Sequence, residues 1–261
     1  MIRRVGGWLH RSRFVGLALI GLLLCLWEYS ARYVVVAATW PPVTRVVLTW
    51  MANVTDGTLP GHLLATFWRQ LLGYGIAVIL GIGLGLVMGY YRFFYNLFEP
   101  LVEVLRPIPG PAYLPVLVLF VGIGNEMKVI LVLIASFFPV LLNTYAGVRG
   151  VDVIQLDTAR TFGLTTLQTF RELILPAASP QILTGMRISL AISLILAILG
   201  EMIASNDGLG YFTLLAQRTF KLPEMYAGLF TLALFGYLMN RVFLLGEARL
   251  VRWHRETTGR T

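Results

Sequence analysis

Residues 151–180 read VDVIQLDTARTFGLTTLQTFRELILPAASP. The stretch lies between apolar blocks and carries mixed charge with clear helix punctuation. Asp152, followed by Gln155, predicts an N-cap with a capping-box partner at the start of a short helix. Gly163 is placed to end that helix, because glycine enters the left-handed region without a Cβ clash. Thr165 and Gln168 repeat the capping signature and open a second helix. Pro176 is expected to close it, since proline lacks the amide donor and disfavours helix in the residue before it. Ser179-Pro180 predicts the cap and first turn of a further helix.

This hairpin does not belong in a lipid core. Asp152, Asp157, Arg160, Arg171 and Glu172 would each cost roughly 2.5–3.5 kcal/mol at a bilayer centre. Yet Ile154, Phe162, Leu167, Phe170 and Ile174 give its helices apolar faces. An apolar face on a water-side hairpin is suited to docking. The competing reading is an ordinary surface hairpin between two membrane helices.

Around it the chain is strongly apolar. Of 261 residues, 57% are hydrophobic and 13% charged, and the mean hydropathy is +0.75. Soluble domains carry about 25% charged residues, so the composition predicts a polytopic membrane protein. The length allows about six helices of ~20 residues. Cys25 is the single cysteine and cannot form an intrachain disulfide.

Six spans are predicted. The first, about 14–36, follows a basic segment, 1–13, with Arg3, Arg4, Arg11 and Arg13. It is read as a signal anchor in which Glu28 and Arg32 pair at i,i+4. Residues 37–68 form a mixed loop with an interfacial helix at 43–51 and His62 on its surface. In the second span, 71–91, Gly73, Ala77, Gly81, Gly85 and Gly89 recur every four residues, the spacing that lets helix backbones approach closely. The third span, 112–123, follows Arg106-Pro107-Ile108-Pro109-Gly110-Pro111. Broken helix at membrane depth is tolerated only against protein or a wet cavity, so Arg106, Pro107 and Pro109 are candidates for lining a translocation path. Asn143 in the fourth span, 128–146, and Glu201 near the end of the fifth, 181–203, join that set, although an Asn at this depth usually bonds a neighbouring helix. The sixth span is 225–245. The divisions are a basic N-terminus, 1–13, a first span with outer loop, 14–64, a core, 65–250, containing the loop 151–180, and a basic tail, 251–261.

Charge orients these spans. With both termini in the cytoplasm, the inside holds the arginines before span one, Arg92 and Arg106, those around the hairpin, Arg241 and the tail arginines. The outside keeps Arg32, Arg45, Arg69, Lys128, Arg218 and Lys221. This satisfies the positive-inside rule and puts the hairpin between spans four and five in the cytoplasm. The net charge of +8 is therefore topological, and a nucleic-acid partner has no support.

No Gly-x-x-x-x-Gly-Lys-Ser/Thr loop is present, so phosphate binding of that type is excluded. No His-Glu-x-x-His, Cys/His cluster or Gly-x-Ser-x-Gly occurs, which argues against an enzyme and against a metal site. The alternatives are an ion-coupled secondary transporter or a small oligomeric channel. The first calls for ionisable residues deep in several spans, and these are scarce here.

Asp157-Thr158-Ala159, three residues, Gly163, nine residues, then Leu173-Ile174-Leu175-Pro176 resembles the Glu-Ala-Ala signature of the integral-membrane subunits of ATP-binding-cassette importers. The departures are Asp for Glu, Thr for Ala and Leu for Ile. Residues 65–255 further resemble the nitrate, sulfonate and taurine subgroup. The features are Arg106-Pro107-Ile108-Pro109, Pro115, Phe120-x-Gly122-x-Gly124, Lys128, Phe137-Phe138-Pro139, Gly185, Arg187, and Gly200-Glu201 before Gly208-Leu209-Gly210-Tyr211. The resemblance implies an all-α permease of the bacterial inner membrane, without catalysis on this chain. It implies a second permease copy, two ATPase subunits that carry the ATP and magnesium, and an extracytoplasmic solute-binding protein. The hairpin would be the coupling helix, with Gly163 making the bend, Ala159 allowing close approach, and Phe162 and Leu167 filling the ATPase groove. The implied solutes are small anions such as sulfonates, taurine, nitrate or bicarbonate, and also some larger organic molecules. Arg106 would meet the anion on the cytoplasmic side.

Overall fold

A computed structural model describes residues 2–250 apart from Val36 and Ala38. The expected basic tail, 251–261, with Arg252, His254, Arg255 and Arg260, lies outside the described residues. The described chain is helical, without a strand. Four helical runs are long and apolar enough to cross a membrane: Thr58–Tyr90, Asn125–Arg149, Thr166–Ala204 and Leu222–Arg249. Arg92–Leu105 and Gly110–Val121, bent by 90° at their junction, make a fifth if counted as one broken span.

The chain divides into two compact units. The first comprises Met1–Pro60 and Phe212–Thr231. Helix α1 runs Ile2–Tyr29 and passes into a π-turn, Ser30–Val34. It therefore starts well before the expected residue 14, because arginine is a good helix former and the basic segment simply extends the helix. Helix α2, Val43–Thr55, is the expected interfacial helix, four residues longer than its reading. Arg32 Nε donates to Glu28 Oε1 at 2.6 Å. The other Glu28 oxygen accepts from the Thr44 backbone amide at 3.0 Å, so the expected ion pair also caps α2. Trp50 Nε1 donates to Thr231 Oγ1 at 3.0 Å.

The second unit comprises Gly61–Tyr211 and Leu232–Thr261. Its elements are α3 (Thr58–Tyr90, from Gly61 on), α4 (Arg92–Leu105), α5 (Leu114–Val121), α6 (Asn125–Arg149), α7 (Val153–Thr161), α8 (Thr166–Gln168), α9 (Leu175–Ala204), the start of α10 (Leu209–Arg218) and most of α11 (Leu222–Leu250). The core is built on α6 and α9. Met127, Leu131 and Val132 pack with Leu196, Ala197 and Leu114. At the other end Val148, Val151, Ile174, Ala178 and Ile182 pack together.

The glycine stripe of α3 fits against α6. A Cβ at Gly73 would lie 2.6 Å from the Val129 carbonyl oxygen, at Gly85 2.7 Å from Thr144 Cβ, and at Gly89 2.6 Å from Val148 Cβ. Ala77 is fully buried. Small residues at every fourth position thus let the two backbones touch, which substitutes for the hydrophobic drive that lipid removes.

Pro176 does not stop the second hairpin helix. A π-turn, Thr169–Ile174, joins α8 to α9, and Pro176 sits in the first turn of α9. The missing amide costs nothing in a first turn, and the wider π-turn relieves the clash of the ring with the preceding carbonyl. Pro180 is likewise inside α9, and Ser179 Oγ donates to the Pro176 carbonyl at 2.8 Å instead of capping a helix.

Gly85→Leu is expected to lower the stability of the purified protein by about 1–3 kcal/mol through overpacking. Gly83→Leu, where a Cβ meets nothing within 4 Å, is expected to leave it unchanged. Thermal unfolding in mild detergent separates the two.

Candidate functional site

The hairpin folds as its residues dictate. Asp152 caps α7 by accepting from the Ile154 amide at 2.9 Å. Gly163 has φ +68°, and the Leu164 amide closes the turn on the Ala159 carbonyl at 3.1 Å. The Thr165 amide donates to Gln168 Oε1 at 2.9 Å, and Thr165 Oγ1 accepts in return from the Gln168 amide, a complete capping box. Leu156, Phe170 and Leu173 turn inward onto the core formed by Val148, Val151 and Ile174, and Phe170 meets Tyr90 edge-on at 6.1 Å.

The outward face is different. Phe162 is 79% exposed, Leu167 75% and Ile154 73%. Of the apolar residues read as one docking face, Phe170 and Ile174 belong to the bundle, and these three remain outside it. Ala159 is buried, so its small side chain packs within the hairpin. Asp157 Oδ1 pairs with Arg160 at 2.9 Å, and Thr158 Oγ1 donates to the Ile154 carbonyl at 2.7 Å. Leu175 is exposed and Pro176 half-buried at the start of α9.

The proline break builds a cavity. Helix α4 ends at Leu105, Pro109 is extended, and Gly110–Tyr113 forms a single 3-10 turn before α5. Tyr113 Oη donates to the Leu105 carbonyl at 3.3 Å, satisfying one end of the break. Arg106 and Pro107 line a cavity of about 440 Å3 with Tyr113, Ala135, Phe138 and Leu196. Asn143 lies outside this lining. Its Nδ2 donates to the Pro139 carbonyl at 2.8 Å, and its Oδ1 accepts from Gln181 at 3.0 Å. It therefore ties α6 to α9 beside Gly185, where a Cβ would come 2.6 Å from Asn143 Cβ.

Glu201 is elsewhere again, fully buried at the far end of α9. Its carboxylate accepts from Arg69 Nη1 at 2.8 Å, Thr66 Oγ1 at 2.9 Å and the Gly210 amide at 3.0 Å. Arg69, its side chain 4% exposed, also pairs with Asp207 and donates to Asn125 Oδ1 at 2.8 Å. Gly208, at φ +97°, wraps the carboxylate so closely that a Cβ there would overlap it. Partial burial pushes the Asp207 carboxyl up, but the Arg69 hydrogen bond and charge outweigh this and hold it below the ordinary value. Its contribution to stability is therefore present above the ordinary Asp range and is lost on acidification below it. His62, expected on a loop surface, is half-buried within α3 and accepts from the Gly208 amide at 3.0 Å through Nδ1. The sequence reading counts Arg69 among the outer charges, just before the second span, and does not anticipate its burial. The signal that could have placed it was Glu201, an acid in an apolar run that needs a cation.

Membrane-length helices, a broken span and a charged hairpin define a polytopic membrane subunit. The family described as "Binding-protein-dependent transport system inner membrane component" matches residues 77–255, and the chain belongs to it: a non-catalytic permease component of ABC importers, in the bacterial inner membrane. SsuC of Bacillus subtilis, provisionally assigned as an aliphatic sulfonates transport permease, is 31% identical over 98% of this chain and 92% of its own. The taurine transport system permease protein TauC of Escherichia coli is 31% identical over 95% and 92%. Among solved structures, a chain of the MetNI methionine ABC transporter, inward facing, shares the fold with a TM-score of 0.63 at 18% identity, covering 74% of this chain and 94% of that one.

Glu201→Ala removes the buried one of the two carboxylates paired with Arg69, leaves Thr66 and the Gly210 amide without their acceptor, and is expected to destabilise the protein by about 3 kcal/mol. The double replacement Arg69→Met with Glu201→Leu removes both charges and is expected to recover most of that loss. Thermal unfolding of the three proteins in one detergent measures both.

Proposed function

We propose that this chain forms the translocation path of an ATP-driven importer for a small anion, and that its hairpin docks into a separate ATPase subunit. The observation that carries the reading is the exposure of Ile154, Phe162 and Leu167 on a hairpin whose other face is anchored in the bundle. Three large apolar side chains on a water-side turn fit a complementary groove, and Gly163 lets the turn present them. The hairpin is continuous with α6 and α9, so movement of the ATPase passes directly to the two core helices.

In this arrangement six helices span the membrane. α1 is the first span and the α4–α5 pair is one broken span. Both termini and the hairpin lie in the cytoplasm, as the distribution of arginines favours. Two copies of the chain pair, two ATPases carry ATP and magnesium, and an extracytoplasmic binding protein delivers the solute. The assignment of relatives to aliphatic sulfonates and taurine supports an organosulfonate or a similar small anion.

Phe162→Asp should abolish recovery of the ATPase subunit from mildly solubilised membranes while the permease still assembles. Gly163→Val should retain some ATPase but uncouple hydrolysis from uptake. Wild-type recovery of the ATPase by Phe162→Asp, with coupled uptake in Gly163→Val, would remove the docking role.

A further inference from the structure

We infer that the cavity at the α4–α5 break is itself a solute site, and that it selects anions carrying a hydrocarbon body. This rests on the anion-importer reading above and adds that selectivity lies partly in this chain. The cavity touches the central turns of α6 through Ile134, Ala135 and Phe138, and α9 through Ile192 and Leu196. It is thus at the mid-depth of the core helices, where irregular backbone persists only against protein or a wet cavity. The sequence reading makes Arg106 a candidate for lining the path, and the fold brings it to this wall.

The chemistry of the wall is lopsided. Among the described residues Arg106 is the one charged side chain lining it, and Tyr113 spends its hydroxyl on the Leu105 carbonyl. The remaining lining is aliphatic, aromatic or glycine. Arg106 bonds Glu103 through Nη1 at 3.1 Å, and both side chains are about half exposed. Exposed i,i+3 pairs hold weakly, and a guanidinium has five donors in a fork that matches an oxyanion. A sulfonate or carboxylate can therefore engage Arg106 without first breaking a strong bond. Nitrate or bicarbonate would fill only a fraction of about 440 Å3 and would leave the apolar wall uncovered. An alkyl chain covers it, and each buried methylene favours binding about fourfold.

The test uses the complete importer with its ATPase and binding protein in proteoliposomes, and compares uptake of ethanesulfonate and pentanesulfonate. Ala135→Leu and Ile134→Trp narrow the cavity from α6. Each is expected to lower the pentanesulfonate-to-ethanesulfonate uptake ratio at least fivefold, with ethanesulfonate uptake reporting that the variant is assembled. The binding protein is the same throughout, so its own preference cancels in the comparison. Arg106→Gln is expected to raise the KM for both sulfonates by about tenfold and leave the ratio alone. A ratio within twofold of wild type in the narrowed variants that still move ethanesulfonate, or an unchanged KM in Arg106→Gln, overturns the site while leaving the importer reading intact. If neither narrowed variant moves ethanesulfonate although each still co-purifies with its ATPase, the cavity is needed by short and long anions alike, and chain-length selection is overturned. Wild type that moves neither sulfonate overturns the anion reading itself.

Discussion

The fold of the larger unit depends on one buried ion pair, Arg69 with Glu201. Glu201 has Arg69 as its cation, and Arg69 is held by a second carboxylate, Asp207, as well; each also has neutral hydrogen-bond partners. Together with Asn125, Thr66 and the Gly208–Gly210 turn they tie α3, α6 and α9 at one end of the bundle. Between helices in lipid, apolar surface does not specify register, because lipid tails are as apolar as leucine. A buried polar network does, since sliding α3 or α9 by a turn would part Arg69 from Glu201, and sliding α6 would take Asn125 from Arg69. The stability it adds is modest compared with an apolar replacement; what it supplies is a single allowed arrangement.

The glycine stripe of α3 makes that arrangement reachable. Gly73, Gly81, Gly85 and Gly89 bring the α3 backbone against α6, and the approach carries Arg69 alongside Glu201. At the opposite end the same two core helices lead into the hairpin, α6 through Gly150 and α9 through the π-turn. The ion-pair end is over-determined by charge. The hairpin end is held by apolar contacts among Val148, Val151, Ile174 and Phe170, by the close approach of Gly89 to Val148 and by the hydrogen bond from Gln181 of α9 to Asn143 of α6.

Much of this was legible in the residues. The caps at Asp152 and Thr165 and the turn at Gly163 are local, so sequence alone defines them. The stripe is a period-four pattern that survives in any helix. What was illegible depended on tertiary partners. Pro176 reads as a stop because the π-turn that accommodates it has no sequence signature. The buried pairing of Arg69 was illegible because its two carboxylate partners lie more than a hundred residues away. His62 reads as surface for the same reason, its partner being the Gly208 amide. Hydrophobic residues of the hairpin could be recognised as faces, but which face belongs to the bundle follows only from the packing of Leu156 and Phe170.

The moderate character of the broken-span cavity follows from the task of a path. A fully enclosed cation with no competing acid would hold an anion tightly and release it slowly. Conduction requires binding favourable enough to enter and weak enough to leave. At the proposed solute site, Glu103 beside Arg106 would supply a rival that re-forms as the solute departs. The apolar wall adds discrimination that scales with the solute's own hydrocarbon and leaves the charge contact unchanged. A 90° break whose carbonyl at Leu105 is satisfied by Tyr113 lets the fold place both features at mid-depth without leaving that carbonyl orphaned. The prolines that interrupt the helix are thereby what opens the cavity between the α4–α5 break and the core helices.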